Sequence, residues 1–305
     1  QVARVLEKVD ALWGLKPGAE VTLEANPDDV ARFADFAAAG VNRLSLGVQS
    51  LNDKLLKFLG RTHSAVDAIR AFEAGRGKFR STSIDLIYAL PNQTVDDWRA
   101  ELAGAIALEA DHLSLYELSI EPGAAFARAV ERMAWLPLDA ETAADLYEAT
   151  QELTAHAGYS AYEISNHARG VQHQSAHNRI YWASGDWAGV GPGAHGRLTT
   201  QGARIAAEAA ERPGEYLKQV ATGGVGFASE ESLDPLAQAR ERVSMGLRVA
   251  EGLAVSDIAE LGLALDRQRL VEFADLGLLA QTDNRIALTL KGRLAADRIA
   301  AEISP

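Results

Sequence analysis

The chain has 305 residues, 48% hydrophobic and 24% charged, with 42 Asp and Glu against 30 Lys and Arg and a formal net charge of −12. That length can bury a full core, suits one large barrel-type domain with a smaller appendage, and excludes disordered, collagen-like and low-complexity classes. The acidic balance offers no overall attraction to a phosphate backbone, so nucleic acid is not an expected partner.

No apolar run approaches the ~18 residues of a membrane span. The opening QVARVLEKVD is a charged helical pattern without a secretory apolar region, so a cytoplasmic globular protein is expected. The sequence contains no cysteine, which excludes a disulfide, a thiolate zinc site and a thiolate-bound iron–sulfur cluster within these residues. Residue 1 is Gln, already inside an amphipathic pattern, and the expectation is a fragment of a longer protein.

The first 128 residues alternate helix and strand. Val2, Val5, Leu6, Val9 and Leu12 mark one helical face, and a turn at Lys16-Pro17-Gly18 leads into a strand over 21–24. Asn26-Pro27-Asp28 stops that strand and starts a helix around 30–39, ended by Gly40. A strand over 42–50, a helix near 52–59 closed by Gly60, and a helix over 64–74 follow. Next come a strand over 81–90, a helix over 94–109, and a strand over 112–120 running into Glu121-Pro122-Gly123. This alternation predicts right-handed βαβ units and a parallel sheet.

Phase within the strands says more. Leu23, Leu44, Leu46, Val48, Ile84, Leu86, Leu113 and Leu115 share one face, while Thr22, Glu24, Ser45, Gln49, Ser83, Asp85, Ser114 and Tyr116 share the other. A flat sheet covered by helices is apolar on both faces, whereas a barrel lumen holding a polar ligand has this pattern. Glu24, Gln49, Asp85 and Tyr116 each stand near the carboxyl end of a strand, the rim where parallel barrels carry their sites. Four such strands do not close a barrel, so further strands are expected outside this stretch, and an open barrel edge predicts aggregation or association into a homodimer.

From 129 to about 200 the character shifts. A helix over 139–157 precedes the strand-like YSAYEIS at 159–165, and a stretch rich in His, aromatic and Gly residues follows. The last 70 or so residues read as mostly helical, with a hairpin turning at Thr282-Asp283-Asn284, a winged-helix-like pattern. Acidic residues slightly outnumber basic ones there, which indicates a packing or docking module and not a DNA reader.

Glu24 and Asp85 facing one lumen can accept hydrogen bonds from ribose hydroxyls or an amino group, Gln49 adds an amide, and Arg61 offers a fork to a carboxylate. The set suits a zwitterionic, ribose-bearing ligand. His177-Asn178-Arg179-Ile180-Tyr181-Trp182 admits two readings: an imidazole ligating a metal beside rings that stack on a flat macrocycle, or an ordinary strand with its aromatics in the core. A metal site built from His167, His173 and His177 lacks a carboxylate at suitable spacing. The run Gly189-Val190-Gly191-Pro192-Gly193 is interrupted by proline and fits a tight turn or a close backbone approach to a ligand, not a dinucleotide fingerprint.

VTLEANPDDV, RLSLGVQSLND, LGRTH, SIDLIYALPNQT, HLSLYELSIEPG, YEISNHA, HNRIYW and GVGPGAHGRL, in that order, resemble the radical S-adenosylmethionine coproporphyrinogen oxidase-like family and, within it, the heme chaperone branch. The resemblance implies an α/β fold, a partial (βα) barrel with its first two units missing, joined to a mostly helical, winged-helix-like C-terminal domain. The implied divisions are 1–128 for the barrel, 129–200 for an extension carrying HNxxYW, and 201–305 for the C-terminal domain. By the same resemblance Glu24, Gln49, Arg61 and Asp85 match positions that contact S-adenosylmethionine, and His177, Asn178, Tyr181 and Trp182 match the heme motif. The family's CxxxCxxC loop and a glycine-rich strand end are absent here, so the [4Fe–4S] cluster belongs to the intact protein only and no catalytic or metal-ligating residue is assigned. The implied function is heme binding and delivery to an acceptor protein. The alternative is oxygen-independent oxidative decarboxylation of coproporphyrinogen III, and an unrelated barrel that binds a polar metabolite is a third reading.

Overall fold

The computed structural model describes all 305 residues and divides them into two compact units, Gln1–Gln174 and Ser175–Pro305. In the first unit, α1 (Val2–Trp13) precedes β1 (Thr22–Ala25), and Pro27 starts a short 3-10 turn that runs into α2 (Phe33–Ala38). The order continues β2 (Arg43–Gln49), α3 (Asp53–Phe58), α4 (Ala65–Gly75), β3 (Ser81–Tyr88), α5 (Val95–Ala107), β4 (His112–Glu117), α6 (Ala125–Glu131), α7 (Ala140–His156), β5 (Ser160–Ala161) and β6 (Asn166–Ala168). These strands form one six-stranded sheet in the order β1-β2-β3-β4-β6-β5, with β1 to β4 parallel.

The loops after β2 and β3 deliver the chain into helices through capping boxes. Ser64 and Asp67 open α4, and Thr94 and Asp97 open α5, each hydroxyl accepting the backbone N–H three residues on. The helices bury residues at helical spacing: Ala68, Ala71, Phe72 and Gly75 on α4, and Trp98, Leu102 and Ala105 on α5. They cover the sheet face made by Leu44, Leu46, Ile84, Leu86, Leu113 and Leu115. Gly75 is small for a reason, since a Cβ there would lie 3.0 Å from Leu44 Cδ2. Trp98 is fully buried, stacks on Tyr88 at 5.2 Å, and donates its indole N–H to Thr150 Oγ1 at 2.8 Å.

The parallel pairing expected of the first four strands holds, whereas the single strand expected over 159–165 needs correction. The chain breaks there into β5 and β6, and β6 runs antiparallel to both β5 and β4. Only residues 162–165 connect β5 to β6, whereas a parallel crossover requires a dozen or more residues.

The second unit begins with α8 (Ala176–Trp182), a helix where one reading of the sequence had a strand. Ser175 caps it, accepting from Asn178 N at 3.3 Å, and the rings of His177 and Tyr181 meet edge-on at i,i+4, a contact only the helical period provides. A three-stranded antiparallel sheet follows, β7 (His195–Thr200), β8 (Ala203–Ala209) and, after α9 (Pro213–Gly223), β9 (Phe227–Ser232). The remainder is α10 (Pro235–Gly246), β10 (Leu253–Ala254), α11 (Val255–Ala259), α12 (Arg267–Asp275), β11 (Leu279–Gln281), β12 (Arg285–Leu288), α13 (Leu290–Arg293) and α14 (Ala296–Ile303). Its strands pair in the order β10-β12-β11, and the β11–β12 hairpin turns at 282–284, the winged-helix arrangement. No helix is long and apolar enough to cross a membrane.

The glycine run is structural. A Cβ on Gly189 would lie 2.2 Å from the His195 carbonyl oxygen, while Gly191 and Gly193 take φ of 118° and 70°. The close approach that excludes side chains is therefore made by the chain's own backbone.

Candidate functional site

Alternation along β1 to β4 puts the predicted polar residues on one face of the sheet. Register pairs Glu24 with Ser45 and Ser45 with Ser83, and Asp85 with Ser114. Ser45 Oγ donates to the Asp85 carboxylate, 3.0 and 2.8 Å from its two oxygens, and Ser83 Oγ donates to it at 2.9 Å. Burial raises the Asp85 carboxyl above its ordinary range; the serine hydrogen bonds oppose that rise and the Glu24 charge adds to it. Glu24, Ser45 and Asp85 thus form one acidic, acceptor-rich group across three strands.

Gln49 reaches this region by a different route from simple alternation. The register shifts between Leu46 and Gln49, so that Gln49 pairs with Leu86, and Gln49 itself adopts φ 68°. The side chain folds back over Gly47, where a Cβ would lie 2.8 Å from Gln49 Nε2 and 3.6 Å from the Ala25 carbonyl. The bulge and left-handed turn re-aim the amide across the end of β1.

Arg61 sits in the loop after α3, exposed, and its neighbours fix the loop on both sides. Thr62 Oγ1 donates to Asp28 at 2.6 Å, and buried His63 holds the Val48 carbonyl through Nε2 at 3.1 Å. The carboxyl ends of β1 and β2 therefore position the loop that carries Arg61.

The polar face extends further than the sequence indicated. His112, buried at the start of β4, bridges Ser83 Oγ through Nδ1 at 2.8 Å and the Tyr162 hydroxyl through Nε2 at 2.9 Å. Burial lowers its pKa well below the ordinary value, aided by the charge of Arg43, so the imidazole is neutral. Arg43, also buried, donates to the His173 carbonyl at 2.8 Å and to Ser81 Oγ at 3.2 Å, with Glu20 at 3.8 Å. His112 shares its phase with Ser114 and Tyr116, so the alternation contained its signal; Arg43 reads as an ordinary strand start until the tertiary contacts appear. Glu163 is buried as well, its carboxyl raised by burial while the hydrogen bond from Asn166 opposes that.

The four residues of the HNxxYW motif lie in the second unit, on α8. His177 is exposed, and its ring meets Tyr181 edge-on at 4.4 Å and 85°; Tyr181 in turn contacts Trp187 at 4.4 Å. Asn178 gives its backbone N–H to the Ser175 cap. Trp182 turns away from this row. The Arg248 guanidinium lies 5.5 Å from its ring centroid, and its indole nitrogen is shielded from solvent without an acceptor. At about 100° per residue, Arg179 and Trp182 occupy the side of α8 opposite His177. Tyr181 stays with His177, so the motif presents two faces.

The radical SAM superfamily profile matches residues 2–103, the stretch that carries β1 to β3. A second profile, the HemN C-terminal domain, matches residues 233–295. Coproporphyrinogen III oxidase (HemN) from Escherichia coli superposes with a TM-score of 0.82 at 24% identity, covering 99% of this chain and 74% of that one, which establishes the shared fold. The heme chaperone HemW of Mycobacterium tuberculosis is 35% identical over 303 residues, 98% of this chain and 75% of the relative. Radical S-adenosyl methionine domain-containing protein 1, mitochondrial, from Bos taurus is 42% identical over 259 residues, 83% of this chain. The chain belongs to the HemN-like heme chaperone family of radical SAM proteins. It spans 58% of the length of the Bos taurus relative.

Family membership implies S-adenosylmethionine and a [4Fe–4S] cluster. The donor set of the first unit fits the former, with acceptors at Glu24 and Asp85, an amide at Gln49 and a guanidinium at Arg61. The cluster does not fit these residues. The sequence has no thiolate to offer, and no three His, Asp or Glu side chains gather to hold a metal.

Proposed function

We propose that this chain binds heme and hands it to an acceptor protein, working in the cytoplasm as part of a heme chaperone, with S-adenosylmethionine held at the strand ends of the first unit. The observation that carries this reading is the exposed imidazole of His177, braced edge-on by Tyr181, in a chain similar to heme chaperones along nearly its whole length. An imidazole at the surface can ligate heme iron on one side and leave the cargo open to a recipient. An enzyme closes its substrate away from water instead.

In this reading Asn178 fixes the first turn of α8 and Tyr181 supplies aromatic surface beside His177, while Trp182 faces away from that imidazole. S-adenosylmethionine brings a sulfonium to the first unit; Glu24 and Asp85 accept from its hydroxyls or amino group, and Arg61 takes its carboxylate. Residues 1–128 are its proposed binding part, 129–200 the part that carries the heme motif, and 201–305 a docking module. The free side of β1, at the edge of its sheet, is the proposed contact for a second copy. The oxidase reading draws on the fold alone, and HNRIYW favours the chaperone.

A Soret titration with heme tests the proposal. His177→Ala is expected to remove the spectral shift of axial ligation and to weaken binding by at least about ten-fold, the loss that even outer partners of a metal ligand cause. Tyr181→Phe, which keeps the ring against His177, is expected to bind as the unaltered chain does. A titration unchanged by His177→Ala would overturn the reading.

A further inference from the structure

Within the second unit a cleft of ≈ 890 Å³ opens beside α8, its walls carrying Arg179, Trp182, Arg242, Glu251, Asp257 and Arg285. That is within the range of about 300–1,000 Å³ that small-molecule sites occupy. Three guanidinium groups face two carboxylates, a local positive balance in a chain whose net charge is −12.

The arginines are held in different ways. Arg179 is neutralised, its Nη1 lying 3.1 and 3.0 Å from the two carboxylate oxygens of Glu251. Burial works to raise the Glu251 carboxyl, but the hydrogen bond and charge of Arg179, with the charge of Arg285, outweigh it and hold the group ionised below its ordinary value. Arg242 donates Nη1 to the main-chain oxygen of Asp257 at 2.7 Å, and Arg285 donates to the main-chain oxygens of Glu251 and Gly252. Neutral carbonyls fix these two guanidinium groups in place and neither forms a salt bridge, although the charge of Arg285 also acts on Glu251. Beside them the Trp182 indole N–H has no acceptor, and the ring offers an aromatic wall.

We propose that this cleft is a carboxylate-binding site that takes the propionate edge of a porphyrin, apart from the imidazole of His177. The preference for carboxylates rests on Arg242 and Arg285; the choice of porphyrin rests on the heme-binding reading above. His177 lies on the other side of α8, so binding in the cleft does not require the central metal. Guanidinium pairs with carboxylates bidentately, and each charge-assisted hydrogen bond of this kind is strong enough to decide affinity.

The test compares metal-free protoporphyrin IX with its dimethyl ester on the full chain, followed by tryptophan quenching. The diacid is expected to bind at least about ten-fold more tightly than the ester, with an advantage that shrinks as salt rises. Arg242→Gln is expected to shrink that difference several-fold, Arg285 remaining in the cleft, and His177→Ala to leave it intact. Equal binding of acid and ester overturns the inference and needs no variant to fold; a difference undiminished by Arg242→Gln overturns it as well. Heme ligation lost in His177→Ala with no acid–ester difference leaves the chaperone reading standing and removes this one. An acid–ester difference sensitive to Arg242, with heme spectra indifferent to His177, does the reverse.

Discussion

The two faces of the β1–β4 sheet are built from the same strands and do opposite work. One face places Leu44, Leu46, Ile84, Leu86, Leu113 and Leu115 against α4 and α5, where stability comes from apolar area removed from water. The other places Ser45, Ser83, Asp85, His112 and Ser114 side by side, where each buried polar atom must find a partner and a carboxylate is held against its preference for water. The first face stabilises the fold, and the second costs stability; in the proposed reading that cost keeps an acceptor group ready for a ligand.

Breaking the apolar face has the largest expected effect. Trp98→Ala removes a fully buried ring and leaves the Thr150 hydroxyl without its donor, so a loss of about 3–5 kcal/mol is expected in chemical denaturation. A loss under about 1 kcal/mol would mean that α5 is not anchored there.

Asp85→Asn sharpens the comparison because its sign is opposite. A carboxyl whose folded pKa is raised keeps a proton that the unfolded chain releases, so stability falls as pH rises from the ordinary carboxylate range through the raised value. The amide escapes this cost while still accepting from Ser45 or Ser83. A gain of roughly 0.5–2 kcal/mol at pH 7 is expected, fading as pH falls towards about 4. A variant less stable than the original at pH 7 would show that the ionised group is compensated in full.

His112 gives the smallest and most pH-specific effect. Held neutral, it destabilises the fold as pH drops below about 6.5, where the unfolded chain takes up a proton that the folded chain refuses. His112→Gln is expected to flatten the acid side of the stability profile between pH 7 and 5, by no more than about 1.4 kcal/mol per pH unit for a single proton. A profile that keeps its slope would place the responsible group elsewhere.

How much of this was legible depends on whether local pattern or distant contact decides. The four parallel strands and the split between Leu23, Leu44 and Ile84 on one side and Glu24, Ser45 and Asp85 on the other follow from period-two alternation, which the sheet preserves. The start of α4 at Ser64 and of α5 at Thr94 follows from cap chemistry written within four residues. Gln49 does end β2, but the bulge and left-handed turn that aim it come from pairing with β3, and no periodicity records them. The β7–β9 sheet was missed in a stretch dominated by Gly and Ala, where Gly196, Ala206 and Ala207 carry little β signal and the pairing itself defines the strands. Arg242 and Arg285 resemble solvated surface charges in sequence; only folding brings α10 and β12 to one cleft.

Gln49 also limits what its position can encode. At φ 68° a β-branched residue is excluded by its own Cβ substituents, and alanine would carry the strain with no amide to show for it. Glycine would relax the backbone and discard the donor and acceptor. Asparagine tolerates the conformation but falls one methylene short of the span over Gly47. In a saturation screen scored separately for folding and for ligand binding, this site should be permissive to glycine on the first axis and nearly intolerant on the second, a signature of a side chain selected for its reach and not for its packing.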